Sequence, residues 1–282
     1  MFCKCVRTCA FENKLFVEKM DADLENRSSF KLSKWYMDGV DETGNALVGY
    51  AARLNWLKMH FDYSGLLILE NDGISNTHSF QGNRTPEFRK DETTWNSAPL
   101  QLKGVWQSLD APIESESGNL FWQCYQPKAN VSVFVKGRRL MRSGLGYVEK
   151  LEMTLKPWKL PFNELCWGRY LSDKDTVVWI WWNGGSYQNL CMFNGRKREH
   201  AKIGDQGILL SEDLGEIAFE EQVTLRKGRS LSDIVGRIPQ LKEHLPGRIT
   251  NLFECKWRSK GSRILDKKVV STGWTIHEVV RW

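Results

Sequence analysis

The chain has 282 residues, 41% hydrophobic, 12% aromatic and 26% charged, enough apolar material for one large or two medium cores and too much for wholesale disorder. Forty Lys and Arg against 34 Asp and Glu leave a net charge of +6, too mild and too scattered to mark a nucleic-acid-binding surface. The basic clusters Lys136-Gly137-Arg138-Arg139, Arg196-Lys197-Arg198 and Arg226-Lys227-Gly228-Arg229 each hold or adjoin a glycine and read as solvated turns.

Residues 1–30 read as an irregular polar segment. It contains no apolar h-region, so the expected location is cytoplasmic. Cys3-x-Cys5-x3-Cys9 lacks a second Cys/His pair downstream, so no metal is expected; the seven cysteines read as reduced thiols. Ala46–Arg53, Phe61–Glu70, Gly118–Gln126 and Asn130–Lys136 have strand character. Between them, Asn71–Ser97 is too weakly apolar for core and reads as loops around an edge element. A second series of strands follows: Leu145–Leu155, Val177–Trp182, Ser186–Asn194, Arg198–Ile203, Gly207–Leu210, Gln222–Arg226, Thr250–Trp257 and Trp274–Trp282. Only Leu231–Leu245 has helical texture, interrupted by Pro239. The longest apolar run, Val177–Trp182, is too short to cross a bilayer. Many short strands at hairpin spacing predict an all-β protein of two β-barrel domains, 31–142 and 143–282, after the segment 1–30.

Strand alternation singles out two carboxylates. Tyr147, Glu149, Leu151, Met153 and Leu155 share one face, with Val148, Lys150, Glu152 and Thr154 on a watery opposite face. A carboxylate on an apolar face either finds a donor or stays protonated, and a protonated one is a general acid. The competing reading is a structural Glu149 paired with a cation, for which Arg169 is the candidate. Glu278 likewise shares a face with Trp274, Ile276, Val280 and Trp282 and would divide acid and base roles with Glu149 or pair with a cation across strands. His277 points the other way. Leu120, Trp122 and Cys124 share a face, placing Trp122 against Glu149 if their strands are neighbours. Trp179 and Trp181 share a face opposite to Trp182. With Trp167, these indoles are candidate walls of a substrate pocket. No phosphate loop, serine elbow or His-Glu-x-x-His motif is present.

Lys34-Trp-Tyr-Met-Asp-Gly39, Gly49-Tyr-Ala-Ala-Arg53, Gly144-Leu-Gly-Tyr-Val-Glu149, Pro157-Trp-Lys-Leu-Pro161, Leu165-Cys-Trp-Gly-Arg169 and Gly273-Trp-Thr-Ile-His-Glu-Val-Val-Arg-Trp282 resemble a bacterial group. That group is similar to the carotenoid 1,2-hydratase (hydroxyneurosporene synthase), AttH-like superfamily, whose relatives include tocopherol cyclase and Diels–Alderase-type cyclases. The resemblance spans about residues 34–282. It implies two lipocalin-like β-barrels with a pocket between or within them, and cofactor-free hydration, cyclisation or isomerisation of a hydrophobic polyene, terpenoid or polyketide. The hydratases' Tyr-x-Asp falls on Tyr147 and Glu149, implying Glu149 as the acid. Their His-x-Trp falls on Leu120-x-Trp122, so the histidine is replaced and hydration is the least favoured of the three reactions. Such a substrate could be collected by peripheral membrane contact. The competing readings are a non-catalytic binder of a lipid or pigment, and a carbohydrate-stacking surface of exposed indoles.

Overall fold

A computed structural model describes residues 30–56, 59–71, 73–81, 84–117, 119–184, 189–229 and 245–282. Cys3, Cys5, Cys9 and most of the helix-like stretch after residue 230 lie outside the described residues.

The protein is built from antiparallel strands. The first eleven are β1 (Lys31–Asp41), β2 (Ala46–Trp56), β3 (Met59–Glu70), β4 (Gly73–Ser79), β5 (Glu87–Arg89), β6 (Glu92–Ser97), β7 (Leu102–Ser108), β8 (Ile113–Ser117), β9 (Leu120–Val135), β10 (Arg138–Met141) and β11 (Gly144–Met153). They form one sheet in the order β4-β3-β2-β1-β11-β9-β7-β6-β5, with β8 and β10 also on β9. The second set is β12 (Glu164–Ser172), β13 (Thr176–Asn183), β14 (Leu190–Phe193), β15 (Arg196–Lys197), β16 (Lys202–Gly204), β17 (Gly207–Ser211), β18 (Gly215–Arg229), β19 (Phe253–Leu265) and β20 (Lys268–Arg281). Its order is β15-β14-β13-β12-β20-β19-β18-β17-β16. The described helix is limited to one turn at Gly247–Thr250 and a 3-10 turn at Pro157–Lys159. Among the described residues no helix is long and apolar enough to cross a membrane.

The all-β, two-sheet architecture agrees with the sequence reading, but the division falls elsewhere. β11 pairs with β1 and β9, so Gly144–Met153 completes the first sheet instead of opening the second. The crossing runs through 154–163, beyond the expected boundary at 142.

Three apolar layers organise the fold. Trp35, Met37, Leu47, Trp95, Trp106, Val131 and Val148 fill the curl of the first sheet. Tyr170, Val177, Trp179, Phe193, Leu210 and Ile217 fill that of the second. Tyr36, Tyr50, Trp122, Tyr147, Trp167, Val178, Ile180 and Ile276, drawn from both sheets, pack between them. A strand covered on both faces loses the polar alternation of a half-exposed one, which is why β1, with its unbroken buried run, escaped the sequence reading. The face of Val148 is thus core at that residue, and becomes partly solvated only at the Lys150–Glu152 ion pair. Asn71–Ser97 also departs from expectation. Trp95 of β6 is fully buried, its ring lying over Gly49, where a Cβ would come within 2.8 Å. Its indole N–H donates to the Arg84 carbonyl at 3.0 Å.

Candidate functional site: a carboxylate held by neutral donors between two sheets

Glu149 lies on β11 opposite Tyr36 of β1 and Cys124 of β9. Gly146 lets the strands close at this point: a Cβ there would collide with the Asp38 carbonyl and Val131. The Glu149 side chain faces the layer between the sheets, and one of its oxygens, Oε2, gathers three donors. The Trp122 indole N–H donates at 2.5 Å, the Tyr147 hydroxyl at 2.6 Å and the Trp167 indole N–H at 3.1 Å. The first two come from the first sheet; Trp167 reaches across from β12. No described Lys or Arg lies within ion-pair distance. Burial pushes the carboxyl above its usual pKa, against the donors of Tyr147 and Trp122 and the charge of Lys34, which pull it down. With Oε2 accepting from all three donors, a proton on this group resides on Oε1.

Arg169, the expected partner, is committed elsewhere. It spans the sheets to Asp38, with Nη2 at 2.8 Å from Oδ1, and both side chains are fully buried. Its Nη1 donates to the Trp274 carbonyl at 2.7 Å, and Tyr36 donates to Asp38 at 3.1 Å. Glu278 is half-buried and ion-paired with the buried Lys256. Burial would raise the Glu278 carboxyl, but the Lys256 charge carries it below its usual value. The Lys256 ammonium also lies 5.2 Å from the Tyr36 ring, 5.5 Å from Trp167 and 5.8 Å from Tyr50. Glu278 therefore borders the site as half of an ion pair and is not a second free acid. The layer is apolar and aromatic, with the Asp38–Arg169 and Lys256–Glu278 pairs set into it.

The structure brings Glu149, Tyr147, Trp122 and Trp167 into direct contact. It places Trp179 on the other side of the second sheet, stacked 6.0 Å from Phe219. Trp181 shares that side by strand alternation, so neither indole lines the Glu149 site, whereas Trp182 faces the inter-sheet layer. His277 packs between Phe219 and Trp257, beside the Ser259 hydroxyl at 3.0 Å. Burial and then the Lys256 charge push its imidazole down to about 4, so it is neutral near pH 7. Sequence reasoning missed Tyr36, Asp38, Tyr50 and Lys256. Asp38 carried the same signal as Glu149, a carboxylate flanked at i−2 and i+2 by Tyr36 and Val40.

A cavity of about 600 Å³ opens between the sheets, lined in part by Val40, Leu145, Ser172, Lys260 and Trp274. On β11, Leu145 precedes Glu149 by four residues, roughly 13 Å along the strand. The Asp38–Arg169 pair lies between the two levels.

No protein-family model and no curated protein matches the sequence. Solved structures do match in shape. CghA matches with a TM-score of 0.57 at 11% identity, covering 89% of this chain and 88% of that one. The fold is shared. CghA with Sch210972 gives 0.55 at the same identity and coverage. A candidate AttH from Nitrosomonas europaea gives 0.50 at 10% identity, covering 88% of this chain and 92% of its own. The chain thus has the lipocalin-like, AttH-type fold that its motifs resemble.

Proposed function

We propose that the protein is a cofactor-independent cyclase, isomerase or hydratase that protonates an alkene in a hydrophobic substrate, with Glu149 as the acid. The observation that carries this reading is the carboxylate whose Oε2 holds three neutral donors and no cation. Burial keeps the group protonated more readily than a surface glutamate, and the proton sits on the unencumbered Oε1. In the reaction the Oε1–H bond breaks as a C–H bond forms at one alkene carbon. The adjacent carbon becomes cationic. The carboxylate left behind is met by donors already aimed at it, so little reorganisation opposes the charge. The aromatic rings of Trp122 and Tyr147 lie beside the acid, and a ring face turned to the cation is worth about 2 kcal/mol in a dry site. Ring closure or rearrangement followed by proton loss to Glu149 restores the acid. Capture by water would instead give hydration, and no histidine stands at position 120 to orient that water.

The test is proton delivery. Wild type and Glu149→Gln are incubated in D2O with terpenoid and polyketide alkenes. Wild type is expected to place a solvent deuteron on an alkene carbon; Glu149→Gln binds the same compounds and places none. Equal incorporation by the two proteins would overturn the mechanism. A second reading, a carrier of a hydrophobic ligand, is favoured by the distance between the 600 Å³ cavity and Glu149. It expects binding by both proteins and incorporation by neither. CghA, of the same fold, is known with Sch210972, in keeping with either reading.

A further inference from the structure

Among the described residues, Arg169, Lys256 and Lys260 on the inter-sheet face of the second sheet are matched to acids, and Arg258 is not. Arg169 holds Asp38, Lys256 holds Glu278, and Lys260 lies 3.3 Å from Glu221. Arg258 has no described carboxylate within ion-pair distance. Its Nε is buried without an acceptor among the described residues. Its Nη1 reaches only the Glu221 carbonyl, at 3.5 Å. The guanidinium centre lies 4.6 Å from the centroid of the Trp274 ring. Burial lowers its proton affinity and the charge of Glu221, too far to pair with it, offsets this only in part, yet an arginine stays charged.

Arg258 does not itself line the cavity, but it packs on a ring that does, Trp274, on the side toward the acid. Arg258 and Lys260 project from the same face of β19, and Lys260 and Trp274 line the 600 Å³ cavity. Arg258 is in register with Ile276, whereas Trp167, the cross-sheet donor to Glu149, is in register with Glu278. Arg258 is therefore two strands over and two residues along from Trp167, roughly 12 Å between Cα atoms.

We infer that the site takes an amphipathic acid, whose carboxylate is received by Arg258 beside Lys260 and whose apolar chain runs past Trp274 and Trp167 toward Glu149. The Glu149 end of this path rests on the proposed function; the anion seat does not. An acid gives the guanidinium, whose Nε lacks an acceptor among the described residues, charge-assisted hydrogen bonds that an alcohol of equal length cannot make. Glu221 is exposed and yields its hold on Lys260 readily.

Calorimetric titration of the full chain with dodecanoate, dodecanol and dodecylamine at pH 7.5, below their aggregation limits, tests this. Wild type is expected to bind dodecanoate at least about tenfold more tightly than dodecanol, and dodecylamine most weakly. Arg258→Met, which keeps the stem and removes the fork, should bring acid and alcohol within about twofold. Arg258→Lys should keep part of the preference and guards against a folding defect in the first variant. Glu149→Gln should leave the preference intact. Wild type that binds none of the three, or binds acid and alcohol alike, overturns the proposal. So does a preference that survives in Arg258→Met or disappears in Glu149→Gln. Acid preference without deuterium incorporation would refute the Glu149 mechanism alone.

Discussion

Glu149 and Glu278 present the same pattern in sequence, a carboxylate on the apolar face of a strand, and the fold resolves them in opposite ways. Glu278 faces a lysine across β19 and β20 and is held ionised, below its usual pKa. Glu149 faces two indoles and a phenol, all neutral, and burial holds it above its usual value against the pull of their hydrogen bonds. A buried acid takes its character from what arrives opposite it. For Glu149 that includes Trp167 from the other sheet, whose approach strand alternation within β11 cannot report.

The comparison breaks first at the ion pair. Lys256→Met leaves Glu278 without its ion-pair partner, with only the more distant charges of Lys34 and Arg226, and is expected to cost about 3 kcal/mol in urea unfolding. Adding Glu278→Gln should recover most of that loss, because the uncompensated charge goes with it. If the single variant is near neutral, the ion pair is not what settles Glu278. At Glu149 the corresponding effect is smaller. Glu149→Leu strands the donors of Trp122, Tyr147 and Trp167, and should be less stable than Glu149→Gln by about 2 kcal/mol in the same assay. Trp167→Phe removes only the 3.1 Å cross-sheet donor and should cost about 1 kcal/mol, counting the hydrogen bond alone.

The smallest effect has the most telling sign. Because the folded Glu149 binds its proton more tightly than the unfolded chain does, it lowers stability as pH rises above the usual glutamate pKa of 4.5. Glu149→Gln should therefore melt above wild type at pH 8, and the gap should close toward pH 4. Glu278 runs the other way: its depressed pKa contributes stability above 4.5 that is lost on acidification. Thermal melts of Glu149→Gln and Glu278→Gln across that range should diverge from wild type in opposite directions.

The architecture was legible because hairpin punctuation and strand length are local properties, and because several motifs matched a known fold. Tyr147, Glu149 and Trp122 were legible as a set because β11 and β9 are neighbours and their alternation survives in the sequence. The boundary at 142 failed because the pairing of β11 with β1 joins residues more than a hundred positions apart. Trp179 and Trp181 were assigned to the site because alternation tells which residues share a face but not which face meets the other sheet. Lys256 was invisible because its neighbours Glu254 and Arg258 give β19 the look of a solvated strand, although all three point at or near the inter-sheet layer.

The central claim is that Glu149 carries a proton where an ordinary glutamate does not. Difference infrared spectroscopy of wild type minus Glu149→Gln at pH 7 reads this directly. The account predicts a carbonyl stretch of a neutral carboxylic acid, above the amide I band, that shifts in D2O and is absent from the variant. A difference spectrum showing only the paired stretches of a carboxylate would contradict it.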